Sequence, residues 1–170
     1  MQKKYIQSIG LYLGIIGLLI FMFGLTETNI SDKNIIVLVA TFFLFISAAI
    51  QKEPFFSGSQ AIAFISAIMV FLQVGKTYNL VVFIFLVVVF CIYYFSKHKL
   101  NIPRIFAFIG LVSLSLGILL GRNEPMVVCG IVLAIYAIFS IKEGFSVGWV
   151  FLILNILFAI VAANALYRFY

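Results

Sequence analysis

Apolar residues run almost unbroken for stretches of about 16 to 21 positions, and short polar breaks divide the chain into seven such runs, near 6–25, 34–50, 57–74, 79–96, 104–120, 126–141 and 146–166. A membrane barrel would instead alternate polar and apolar positions in pieces of about ten residues. Continuous runs predict helices, and at a rise of about 1.5 Å per residue the shorter ones just cross a hydrocarbon core of about 30 Å. The expected fold class is all-α: a polytopic transmembrane bundle of about seven short helices, forming a single integral membrane domain over 1–170. The stretch from Ile105 to Gly144 shows the unit plainly, as an apolar span, the polar turn Arg122-Asn123-Glu124-Pro125, a second apolar span and the charged stop Lys142-Glu143.

Small residues pattern the helix faces. At about 100° per residue, Gly10, Gly14, Gly17 and Gly24 share a narrow arc of the first span, and Gly110, Ser113, Gly117 and Gly121 share one in the fifth. The seventh span carries Gly148, Asn155, Ala159 and Ala162 on one side, and the sixth a shorter stripe of Gly130, Ala134 and Ala137. Such stripes let backbones approach closely where lipid supplies no hydrophobic drive between helices. The fourth span, in contrast, contains neither glycine nor alanine. These faces predict the first and fifth helices at the centre of the bundle and the fourth at its lipid-facing edge.

The pattern also hints at repetition. Lys52, Lys97 and Lys142 close the second, fourth and sixth spans at a spacing of 45 residues, and KEPFFSG at Lys52–Gly58 resembles KEGFSVG at Lys142–Gly148. An even offset in helix number makes the expected repeat parallel, read either as hairpins with a period of about 45 residues or as three helices, a linker helix and three helices.

Composition agrees with a membrane solvent. Hydrophobic residues make up 65% of the chain and charged ones 9%, with a mean hydropathy of +1.27, whereas soluble domains are about 25% charged. The net charge of +6 is carried by basic residues scattered between apolar runs, so no nucleic-acid partner is expected. With the N-terminus in the cytoplasm, the inner side carries Lys3, Lys4, Lys52, Lys97, Lys99, Arg104 and Lys142, against Lys33, Lys76, Arg122 and Arg168 outside. That bias predicts a cytoplasmic N-terminus and an external C-terminus, and the Lys-over-Arg, Ile- and Phe-rich composition suits a bacterial inner membrane.

Candidate chemistry is sparse. No ionisable residue stands near the middle of a span, and one histidine cannot supply a paired metal motif. The sequence therefore predicts no catalysis, no cofactor and no metal site. Cys91 and Cys129 lie within apolar runs and read as small hydrophobes. Asn155 is the strongly polar residue at mid-depth, and its amide must find a partner in hydrocarbon. That partner is expected either across a helix interface, as a polar clasp, or in a solute within a central cavity. Gln60, Gln73, Asn79 and Asn164 fall nearer the interfaces, and Asp32 is read as a helix N-cap.

The hairpin 105–141, with Gly110, Gly117, Gly121, Pro125 and Gly130 in the order span, turn proline, span, resembles the units of HdeD-like bacterial membrane proteins. That resemblance implies a small stress-related inner-membrane protein without catalysis. The arrangement of three helices, a linker and three more looks like that of SWEET-type sugar transporters and related vitamin transporters, which implies solute passage. Two functions are thus expected from the sequence. One is a noncatalytic accessory, stress-response or immunity-type component that packs in the bilayer against a second copy or another membrane protein. The alternative is a facilitator of a small neutral or amphipathic solute. A polar-lined central cavity around Asn155 would favour the second, and a collapsed core with an exposed glycine stripe the first.

Overall fold

The computed structural model describes residues 2–52, 54–143 and 147–167. These form seven helices: α1 (Gln2–Thr26), α2 (Ile30–Gln51), α3 (Pro54–Phe71), α4 (Lys76–Lys97), α5 (Ile102–Leu120), α6 (Glu124–Lys142) and α7 (Val147–Tyr167). Each contains a stretch long and apolar enough to cross a bilayer. The protein is a multi-pass, all-α membrane protein.

Helix ends follow local chemistry more than the edges of apolar runs. Asn29, rather than Asp32, caps α2 by accepting from the Ser31 N–H at 2.9 Å, and Asp32 sits inside the first turn. Asn101 caps α5 by accepting from the Arg104 N–H at 3.1 Å. Pro103 and Pro125 occupy first turns, where a missing N–H leaves no bond unmade. Gly121 ends α5 with φ +63°, and Lys52 ends α2 in the same left-handed region. Helix α3 stops at Phe71, three residues short of the apolar run's end, because the chain turns through Gln73 at φ 54°.

Six helices close a ring. Packing runs from α1 to α2, α3, α5, α6 and α7 and returns to α1, while α4 lies outside against α3 and α5. Helix α4 is the least enclosed span and α5 the most enclosed. The expected periphery of α4 is thus present, whereas α5, though the most enclosed span, is a ring member rather than a central helix. Helix α1 is likewise a ring member, packed chiefly on α2 and α7. Successive helices alternate in direction, so α1–α3 and α5–α7 run the same way.

Aromatic rings pin α4 to the ring. Tyr94 packs edge-on against Phe55 of α3 at 5.2 Å, and Phe90 lies 5.7 Å from Phe55. Phe90 also covers Gly58, where a Cβ would come within 2.3 Å of the Phe90 ring. The remaining α4 surface, including Val81, Phe85 and Ile92, is exposed and apolar, as a lipid-facing helix requires.

Candidate functional site

The ring encloses two cavities, one opening toward each end. The first, about 390 Å³, is walled by all six ring helices and reaches the end where α2 and α6 finish, marked by Gln51, Ser140 and Glu143. Asn155 lines it and is only 7% exposed. Its Nδ2 donates to the Phe151 carbonyl of its own helix at 2.8 Å. This corrects the expected interhelical clasp: a carbonyl four residues back is within reach of the same side chain and needs no second helix. An amide whose NH2 end is held there can only accept at its other end. With no other bond from this side chain among the described hydrogen bonds, Asn155 offers the cavity its Oδ1 acceptor and one remaining N–H.

Gln60 of α3 lines the same cavity, is 8% exposed, and its buried Oε1 makes no hydrogen bond among the described residues. The sequence placed Gln60 near a wetted interface. Burial follows instead because α3 is a ring member packed between α2 and α5, with α4 also against it. Ser47 also lines this chamber and donates to the Gly10 carbonyl at 2.6 Å, tying α2 to α1. The rest of the wall is aliphatic and aromatic, with Phe56 and Tyr136 packed at 5.6 Å. We call this the amide cavity.

The second cavity, about 730 Å³, opens at the other end, where α1, α5 and α7 finish. Glu27, Lys33, Lys76, Arg122 and Glu124 are among its walls. Arg122 and Glu124 form an exposed ion pair, with Nε donating to Oε2 at 3.2 Å. Glu27 Oε1 accepts from the Thr28 and Asn29 backbone N–H groups at 2.8 and 2.9 Å, closing the turn before α2. Asn123 is buried with Oδ1 unpartnered among the described residues. We call this the charged cavity.

Between the chambers stands a thin apolar plug. Phe21 of α1 and Phe158 of α7 are fully enclosed and meet at 5.6 Å. Both border the amide cavity, while Leu25, one turn beyond Phe21, borders the charged one. Leu25, Ala162, Ile118 and Met126 belong to the same buried cluster.

The glycine faces are consumed within the chain. A Cβ at Gly10, Gly14, Gly17 or Gly24 would meet α2 within 3.0 Å, through Gln51, Ser47, Phe43 and Ile36 in turn. Gly110 and Gly117 face Leu133 and Met126 of α6, and Gly130 faces Ala159 of α7. Ser113 is half-buried beside Arg122 and Pro125. Gly121 is a correction: nothing lies within 4 Å of a Cβ there, so it is a helix terminator rather than a packing face. Gly148 lies outside the residues whose surroundings are described.

The sequence reading put Gln60 at the wrong depth and missed Ser47 and the Phe21–Phe158 plug. Gln60 did carry a signal, because it shares one side of α3 with the small residues Ala63 and Ala67. The plug carried none, since two phenylalanines among twenty are indistinguishable before the helices are arranged. No protein-family model, curated protein or solved structure matches the chain.

Proposed function

We propose that this protein binds a small amphipathic solute in the amide cavity and facilitates its passage across the membrane, without catalysis. The observation that carries the reading is the pair of chambers on one axis, opening at opposite ends and parted by the Phe21–Phe158 contact. A volume of about 390 Å³ falls within the range of about 300–1,000 Å³ usual for small-molecule sites, and so does a mostly apolar wall with a few convergent polar groups. The lysine and arginine bias supports an orientation with the amide cavity opening to the cytoplasmic side of a bacterial inner membrane. The order of packing around the ring is what two triplets related by a two-fold axis would produce: α1 with α2 as α5 with α6, α2 with α3 as α6 with α7, and α3 with α5 as α7 with α1. On this reading α4 is the linker of a parallel repeat.

The accessory reading, in which glycine faces recruit a second copy or another membrane protein, is less well supported by the glycines of α1, α5 and α6 among the described residues. Those faces lie against α2, α6 and α7 of the same chain, and lipid accounts for the apolar face of α4.

Proteoliposomes test the reading by light scattering after an osmotic jump in neutral solutes of rising size and hydrophobicity. The expected result is faster reswelling than in empty liposomes for a subset of solutes, lost in Asn155→Leu. Facilitation is overturned if every solute behaves as in empty liposomes while the reconstituted protein retains its helical circular dichroism.

A further inference from the structure

We infer that the amide cavity selects an amphipathic amine in its cationic form, a head rich in N–H donors on an apolar body. This rests on the reading of the cavity as a solute site and names the class of solute.

The first observation is what the walls lack. No lysine, arginine or histidine is among the described residues lining the amide cavity, and one carboxylate, Glu143, stands at its mouth. The charged cavity at the other end has Lys33, Lys76 and Arg122 in its walls. Glu143 is exposed, with Lys52 and Lys142 at the same end, so its pull on a cation is modest; what admits an ammonium is that no cationic side chain stands among the described residues of the wall itself.

The second is the character of the buried polar groups. Asn155 has one N–H committed to Phe151 and keeps its Oδ1 as an acceptor. Gln60, in the same walls, has a carbonyl oxygen without a hydrogen-bond partner among the described residues, enclosed until a side-chain rotation turns it toward the chamber. A buried acceptor without a donor is costly, and a ligand that brings N–H groups removes that cost. An ammonium carries donors and no acceptor, so it matches such a set, whereas a carboxylate would set oxygen against oxygen.

The third is the remaining wall. Phe56, Tyr136, Phe21 and Phe158 line the chamber, and aromatic faces both solvate an apolar body and attract a desolvated cation. A fully apolar solute would leave the two carbonyls unmatched, and an inorganic cation would leave most of the wall untouched.

The test uses the full chain in lipid nanodiscs and three ligands with one phenylbutyl body: phenylbutylamine, phenylbutanol and phenylbutyrate. Equilibrium dialysis against protein-free nanodiscs subtracts partition into lipid. The amine is expected to bind about tenfold more tightly than the alcohol, the difference made by hydrogen bonds to a charged rather than a neutral donor, and the acid to show no binding above lipid. Asn155→Leu should erase most of the amine's advantage. Glu143→Gln, an exposed change that leaves the bundle intact, should weaken the amine by about threefold and the alcohol not at all. Equal binding of amine and alcohol, or an amine preference unchanged in both variants, overturns the cation assignment and leaves the solute-site reading standing. If none of the three binds above lipid, both fall.

Discussion

The two ends of the ring are built from the same kind of helix yet differ in what they present. At one end the wall is apolar with two amide oxygens and a single carboxylate at the mouth; at the other, lysines, an arginine and two glutamates surround a wider opening. The difference arises from where each polar residue sits along its helix. Charges of the second chamber come from turns and first helical turns, where long side chains reach water. Amides of the first lie deeper on α3 and α7, where neighbouring helices strip water away and only uncharged groups are tolerated. The wide mouth can therefore attract without selecting, whereas the narrow chamber can select.

The largest expected effect comes from removing the wall between them. Phe158→Ala deletes the ring that meets Phe21 at 5.6 Å and should destabilise the bundle by about 3–5 kcal/mol, as large core truncations do. Proteoliposomes should then leak small solutes, measured as loss of entrapped dye, because the apolar layer between the chambers is thinned to Leu25, Ile118, Met126 and Ala162. Retention of dye at the wild-type level would mean that the barrier lies elsewhere.

Gly117→Leu sharpens the contrast from the charged side. A Cβ there would sit 2.7 Å from the Met126 side chain, so the added bulk drives Met126 toward the chamber that both residues line. Overpacking of this kind costs about 1–3 kcal/mol, and solute flux should fall while amine binding in the amide cavity persists. Ser47→Ala, at the other end, loses the 2.6 Å bond to Gly10 and should lower stability by about 0.6–1.7 kcal/mol in reversible bicelle unfolding. Arg122→Ala stands last. Its ion pair with Glu124 is widely exposed, so neither the unfolding midpoint nor amine binding should move measurably.

Much of the fold was legible because a bilayer allows few solutions. Uninterrupted apolar runs must satisfy their backbone within the helix, so seven runs become seven helices. The bulky circumference of α4 likewise marked it as peripheral. Partners were harder to read. A glycine stripe announces close approach without saying to which helix, so nothing in Gly14 or Gly17 pointed to α2. Depth was misread for Gln60 because distance from a helix end measures position along the bundle axis, while burial depends on which helices stand alongside. Asn155 was recognised as the residue to watch. Of its two expected partners the interhelical clasp is absent, because a local carbonyl competes with any partner across an interface.

Helix α4 contributes little to either cavity, yet it governs how the protein can be inserted. Each triplet of the ring contains an odd number of helices, so a chain passing directly from α3 to α5 would thread its second half into the bilayer upside down. One extra crossing restores the direction, and a helix that only needs to cross is held to length, apolarity and an anchor such as Tyr94. Its lipid-facing positions should therefore accept almost any apolar residue during synthesis, while deleting the helix should invert every glycine and amide that follows it.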